Sequence, residues 1–357
     1  MLIPNFDSRP LYTYDVSAGV SFDANSSPYN SIKGASSIKL SSNGNVMVVG
    51  DSSQDTVTIY VKSGGTWVED QTITESGSFG YSVDISGNGD IIVIGAPTFN
   101  DPDQPGTTEG AVFVYTKTGS PLMWTVEQTI YGEKNTGLTS YDVELGRGVG
   151  ISSDGTAIIA TQLNSLITRL FKKVGGVWTT DVVFPTNRRT CDINQDGTVV
   201  VVGNETDVGF NRSIATIYTK VNTTWNTFNV AQSDAEDMGN YVAVNESGTT
   251  ALFANATQTF VYSKSGTSTW SLTQTLFAGP FCFLDDNLIV INSFNGHRLI
   301  TNKNEGQWIT KTFGPSPTNT DINLDGKLTS NGTGIFVFAD TTTAITEYQI
   351  TENVETY

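Results

Sequence analysis

His297 is the only histidine among 357 residues. One imidazole cannot build a multi-histidine zinc site. It lies in a polar turn, Asn295-Gly296-His297-Arg298, with no nucleophile signature beside it, so a Ser-His-Asp triad is not expected. No glycine-rich loop follows a strand and opens a helix, which removes the phosphate and dinucleotide cradles. Cys191 and Cys282 are the only thiols. With a whole repeat unit between them they read as buried and free rather than bridged. Carboxylates remain, 36 Asp and Glu against 19 Lys and Arg. Two of them could meet at a channel mouth for glycoside chemistry, but nothing in the order of residues pairs them. The expectation is a protein with no catalytic residues, no metal and no cofactor, whose acidic groups serve recognition.

The elements that hold those carboxylates are set by a repeat. All six tryptophans, Trp67, Trp124, Trp178, Trp225, Trp270 and Trp308, follow a small turn. The turns are Asn43-Gly44, Asn88-Gly89, Asp154-Gly155, Asp196-Gly197 and Ser247-Gly248, with Asp286-Asn287 as a degenerate sixth. Asp325-Gly326 reads as the seventh, with Tyr348 in the place of Trp. A period of roughly 40–50 residues marks stacked units that share a core. In the second unit Phe79 to Ser86 alternates and Ile91 to Pro97 is almost wholly apolar. Gly110 to Lys117 is apolar again, and Trp124 to Ile130 begins with the aromatic. These are four strands, the second buried on both faces. The first turn carries Asn-Gly because a tight hairpin needs positive φ at its central residues. The tryptophans, near the segments Gln71 to Ile73, Gln128 to Ile130 and Gln274 to Leu276, read as packing between outer strands.

Repeated four-stranded sheets have one common solution, an all-β β-propeller, here with seven blades. The blades are assigned to 35–75, 76–131, 145–184, 187–230, 238–277, 279–313 and 318–350, one body over 35–357. A misread degenerate unit would make them six or eight. Residues 1–34 are an arm that either adds a strand, Leu11 to Val16, to latch the last blade or binds something else.

Phe79-Gly80-Tyr81-Ser82-Val83, then Val93-Ile94-Gly95-Ala96-Pro97 and Gly110-Ala111-Val112-Phe113-Val114-Tyr115, resembles an FG-GAP repeat. That is the blade unit of integrin α-subunit propellers and of many bacterial and viral surface proteins. The likeness covers 79–130; the other units keep the turn, the Tyr-x-Lys and the Trp but lack Phe-Gly and Gly-Ala-Pro. The resemblance implies a propeller, and adhesion or protein interaction rather than catalysis. It also implies where calcium would bind, in a loop Asp-x-Asp/Asn-x-Asp-Gly-x-x-Asp whose oxygens converge. Asp192 to Gly197 and Asp321 to Gly326 match the first half, but Val200 and Thr329 stand where the closing carboxylate belongs. Asx turns are the simpler reading of both.

A net charge of −17 and a pI near 4.3 argue against binding a phosphate backbone. No apolar run approaches the roughly 18 residues of a membrane span. The start, Met1 to Asp7, has neither the basic segment nor the apolar core of a signal peptide. Cytoplasmic synthesis is therefore expected, with a virion or extracellular surface as the destination.

In a propeller, the loops between second and third strands share one face with the connections between blades. The insertions Thr98 to Glu109, Tyr131 to Glu144 and Asn204 to Arg212 all fall on it, in blades two to four. They carry Asp101, Asp103, Glu109, Glu133, Asp142, Glu144, Glu205 and Asp207, the expected partner-binding residues. The plainer alternative is that these charges keep a large body soluble. The opposite face receives Lys62, Lys117, Lys172, Lys173, Lys220, Lys264 and Lys303. The function expected is binding, by a surface, adhesion or virion-associated protein. Its partner would be a protein on a particle or cell surface, with no nucleic acid and no membrane insertion. A glycan ligand is the alternative, on a carbohydrate-binding or carbohydrate-active propeller working at the channel mouth. That needs an acid pair with aromatics at the centre of one face, and the sequence shows neither.

Overall fold

The computed structural model describes residues 11–23, 37–103, 108–120, 122–133, 143–163, 167–186, 189–203, 215–230, 239, 241–254, 258–277, 281–286, 288–292, 298–304, 307–313, 322–328, 333–340 and 344–355. Every regular element among them is a strand, and the strands form seven four-stranded antiparallel sheets. The inner strands are Ser37–Leu40, Ser82–Ile85, Leu145–Ile151, Thr190–Ile193, Tyr241–Val244, Phe281–Asp285 and Ile322–Leu328. Each lies beside the inner strand of the next sheet, and Ile322–Leu328 touches Ser37–Leu40, so the order returns to its start. This is a β-propeller. The second strands Val46–Asp51, Ile91–Ala96, Ala157–Gln162, Val199–Gly203 and Thr250–Ala254 are buried at almost every residue. Their aliphatic side chains pack against the sheets on both sides, which is why the sequence shows no alternation there.

The last sheet joins both ends of the chain. Leu11–Asp23 pairs antiparallel with Ala344–Glu355, from Leu11 opposite Glu355 to Asp23 opposite Ala344, and forms its outer strand. That corrects the reading of the seventh unit. Asp325-Gly326 is not a turn: Ile322–Leu328 runs straight through it, with Asp325 opposite Val337 and Gly326 opposite Phe336. Tyr348 lies in the third strand, between Phe336 and Ala18, not in the outer place held elsewhere by Trp.

The hairpins between first and second strands differ from the two-residue form that the Asn-Gly pairs suggest. Gly44, Gly89, Gly155, Gly197 and Gly248 have φ between 63° and 79°, whereas the residue before each does not have positive φ. Gly44 N–H donates to Ser41 O at 2.8 Å, and Gly89 and Gly155 repeat the bond. A turn followed by a left-handed glycine results. The residue three before each glycine accepts the first N–H of the second strand. Val46 N donates to Ser41 Oγ (3.0 Å), Ala157 N to Ser152 Oγ (2.9 Å) and Val199 N to Asn194 Oδ1 (2.7 Å).

Two devices hold neighbouring blades together. The first is close backbone approach at glycines: a Cβ on Gly95 would lie 2.0 Å from Gly146 O, and one on Gly50 2.2 Å from Gly80 O. Of the Phe-Gly and Gly-Ala-Pro positions, the other blades keep single glycines, Gly50, Gly146, Gly203 and Gly239. The second is a latch between outer strands. In Thr66–Thr74, Met123–Tyr131, Val177–Phe184 and Thr269–Phe277 a β-bulge leaves Asp70, Glu127, Asp181 and Thr273 unopposed. A bulge re-aims its side chain, and Asp70 Oδ2 accepts from Trp124 Nε1 (3.1 Å) and Lys117 Nζ (2.9 Å) of the next blade. Gln71 brackets the same residue, its Oε1 accepting Trp124 N (2.9 Å) and its Nε2 donating to Trp124 O (3.0 Å). Glu127 and Gln128 repeat this on Trp178 and Lys173. Lys117 and Lys173 also lie over the rings of Trp124 and Trp178, so these cations of the opposite face are engaged in blade packing.

Candidate functional site

On the axis, the turns form a chain of hydrogen bonds from blade to blade. Ser42 N donates to Gly87 O (3.0 Å), Gly87 N to Ser153 O (2.9 Å), Asp154 N to Gln195 O (3.0 Å) and Gln195 N to Glu246 O (3.1 Å). Ser42 Oγ then reaches Glu246 Oε1 at 3.1 Å, tying the first blade to the fifth. Beneath this rim lies a cavity of about 110 Å³ lined by Lys39, Asp84, Cys191, Asp192, Val242 and Phe283 among others. Asp84 and Asp192 meet there, an acid pair that the sequence reading did not find. The signal was present. Lys39, Asp84, Gly150, Asp192 and Ala243 each stand two residues before the Ser or Asn that opens the turn, so the repeat puts them in one ring.

Both carboxylates act first on the backbone. Asp84 Oδ2 accepts Ile151 N from the next blade at 2.7 Å, and Oδ1 accepts Ile85 N at 2.9 Å. Asp192 Oδ2 accepts Val244 N of the fifth blade at 2.8 Å. An inner strand has no ladder partner on its channel side, so these side chains supply the missing acceptors. Burial lifts the Asp84 carboxyl to about 6; Lys39 opposes the shift and Asp192 adds to it. Burial likewise pushes the Cys191 thiol well up, away from nucleophilic character. Small-molecule sites usually measure about 300–1,000 Å³; this cavity has room for a few waters.

The loop Asp192 to Gly197 does not fit calcium. Asp196 Oδ1 accepts Asn194 Nδ2 (2.9 Å), Thr198 Oγ1 (2.6 Å) and Thr198 N (3.1 Å), which hold its carboxyl below the ordinary range against burial. Asp192 turns away into the channel. The oxygens form an Asx turn instead of converging. Asn323 and Asp325 lie along an extended strand rather than in a loop, and Asp321 is outside the described residues.

The elaborated face is an interlocked set of loops. Thr98 N donates to Gly77 O (3.1 Å), Gly110 N to Phe99 O (3.0 Å), Gly132 N to Gly110 O (3.0 Å) and Val143 N to Thr108 O (2.7 Å). The sequence-predicted residues divide sharply within it. Asp101 (7% exposed) and Glu109 (1%) are buried and offer no free surface; Asp101 N points at Glu109 Oε2. Asp103 is exposed, its N–H on Asp101 Oδ1 at 3.0 Å. Glu133 is 69% exposed and pairs with the buried Arg169, whose Nη1 also holds Tyr131 O at 3.2 Å. Gln162 Nε2 donates to Glu133 O at 2.8 Å, so the start of this connection is fixed by the third blade. Glu144 pairs with Arg147. Asp142, Glu205 and Asp207 lie outside the described residues.

An array of four-stranded sheets with glycine-mediated contacts defines a β-propeller. Residues 67–115 match the FG-GAP repeat model, from the outer strand of the first blade to the third strand of the second. The chain is therefore a β-propeller protein that carries an FG-GAP repeat. Its structure resembles that of a Lactobacillus plantarum protein, with a TM-score of 0.58, 12% identity, and 80% of this chain and 86% of that chain covered. A functionally unknown protein from Desulfotomaculum acetoxidans is similar too, with a TM-score of 0.54 and 15% identity over 78% of this chain and 89% of that one. At such identities the likeness concerns the fold alone. No curated protein matches the chain in sequence.

Proposed function

We propose that this chain is a non-enzymatic interaction propeller of a cell or particle surface, contacting a protein partner through the acidic loop face of blades two to four. The FG-GAP repeat supports a binding or structural role. The observation that carries the reading is the loop face itself, pinned by hydrogen bonds to rigid sheets while Glu133 and Asp103 remain exposed. Loops held in this way bind without a large ordering cost. A carbohydrate site at the channel mouth is the competing reading, and the Asp84–Asp192 pair speaks for it. The small cavity and the backbone duties of both carboxylates speak against it.

The test is charge reversal at Asp103, D103K; Glu133 is left in place because it pairs with the buried Arg169. Shortening 98–109 would be a poor choice, because it removes the buried Asp101 and Glu109. The D103K variant should capture the native partner about three- to tenfold more weakly, with a melting temperature close to that of the parent. Unchanged capture would remove this face from consideration.

A further inference from the structure

The outer strand of a blade leaves one row of backbone groups unpaired, a template for any other strand unless it is blunted. Among the described strands, six of the seven outer ones are blunted by a bulge, a charge or both. Thr66–Thr74, Met123–Tyr131 and Val177–Phe184 have both, Thr269–Phe277 has a bulge, and Leu11–Asp23 has a bulge with Asp15. Gln307–Phe313 pairs without a bulge but carries Lys311. The fourth blade has neither device. Its outer strand Thr224–Val230 pairs with Ala215–Val221 without a register shift, and no residue from Val221 to Ser233 is charged.

The same edge is open at its backbone. Lys220 N donates inward to Thr198 O at 2.8 Å, so the Lys220–Trp225 pair is not hydrogen-bonded and the Trp225 N–H and C=O point outward. By alternation along the strand, those of Thr227 and Asn229 do too. At Trp124 and Trp178 the equivalent groups are capped by Gln71 and Gln128 of the preceding blade. Before the fourth blade that place holds Val182, opposite Leu170 as Gln128 is opposite Val114, and an isopropyl group cannot bracket a peptide. Trp225 is half-buried where Trp67, Trp124, Trp178 and Trp270 are buried, and Asn226, Thr227 and Asn229 are exposed.

We infer that this edge pairs antiparallel with the same edge of a second copy, joining two four-stranded sheets into one continuous sheet. A two-fold axis at Thr227 sets this residue against its own copy and Trp225 against Asn229. All of these have outward backbone groups, which gives about six N–H···O bonds. Each copy carries a net charge of −17, so two copies repel one another. The uncharged stretch is where they meet without setting like charges opposite each other. One strand pair buries less than the roughly 1,000 Å² of a stable interface, so the dimer forms in the micromolar range. The inference does not depend on the loop face of blades two to four.

Sedimentation velocity of the full chain, from about 1 to 200 µM, tests it. The mass should rise with concentration from 38.4 kDa towards twice that value. T227K and T227D should each keep the melting temperature of the parent and weaken dimerisation about fivefold or more. Mixing the two variants should restore it, since Lys then faces Asp across the axis. S271K adds the same charge to the bulged outer strand of the fifth blade and should dimerise like the parent. A chain that stays monomeric at the highest concentration refutes the second copy and leaves the edge to a strand of another protein. Equal weakening by T227K and S271K, or no recovery in the mixture, refutes pairing about Thr227.

Discussion

Asp84 accepts the Ile151 N–H across a blade boundary at 2.7 Å and shares its cavity with Lys39, Cys191, Asp192 and Glu246. Its carboxyl titrates near 6 in the fold against an ordinary 3.8, with burial as the main cause. The folded chain therefore keeps this proton to higher pH than the unfolded chain does. Between about pH 4 and 6 the native state binds more protons, so this group's contribution to stability falls as pH rises through that window. The loss is on the order of 3 kcal/mol. D84N has no such titration and still offers an amide oxygen to Ile151 N. In urea unfolding at pH 4 and pH 7, parent stability should decline relative to D84N; parallel values at both pH values would contradict the assignment. The ring of Lys39, Asp84 and Asp192 was legible in the repeat register. That two carboxylates would meet in one cavity was not, because convergence on an axis is a property of ring closure rather than of any one unit.

Among the elements, the bulged outer strands do most to explain the pattern of the sequence. The Trp and the Gln-Thr-Ile segment were legible as outer-strand packing. The bulge was not, since a one-residue shift against the neighbouring strand leaves no trace in composition. It explains why an acid precedes the Gln at Asp70-Gln71 and Glu127-Gln128: one side chain meets the next Trp indole and Lys, the other its backbone. Q128A removes both bonds to Trp178 and leaves that backbone pair without its partner. A cost of about 1–3 kcal/mol in urea unfolding is expected. Q54A, in an exposed hairpin loop, should cost less than about 0.5 kcal/mol. Equal effects would mean that the bracket adds nothing. The seventh unit was misphased for an element-level reason too: its outer strand comes from Leu11–Asp23, so no Trp follows its turn.

For the whole molecule, the N-terminal strand closes the array by pairing with the C-terminal one, and the antiparallel sheets sort the loops onto two faces. One face is a rim of short turns bonded to each other around the axis, over a small polar cavity. The other carries the long insertions. Their placement on one face was legible from loop lengths. Which of their acids are free was not, because burial of Asp101 and Glu109 depends on how two insertions fold over each other. Hydrogen exchange on the complex with the captured native partner shows whether the elaborated face makes the contact. Exchange should slow at 97–103 and 131–133, with the turns at 42–45, 87–90, 153–156 and 195–198 unchanged. Slowing confined to those turns would place the partner over the channel mouth and rule out the elaborated face.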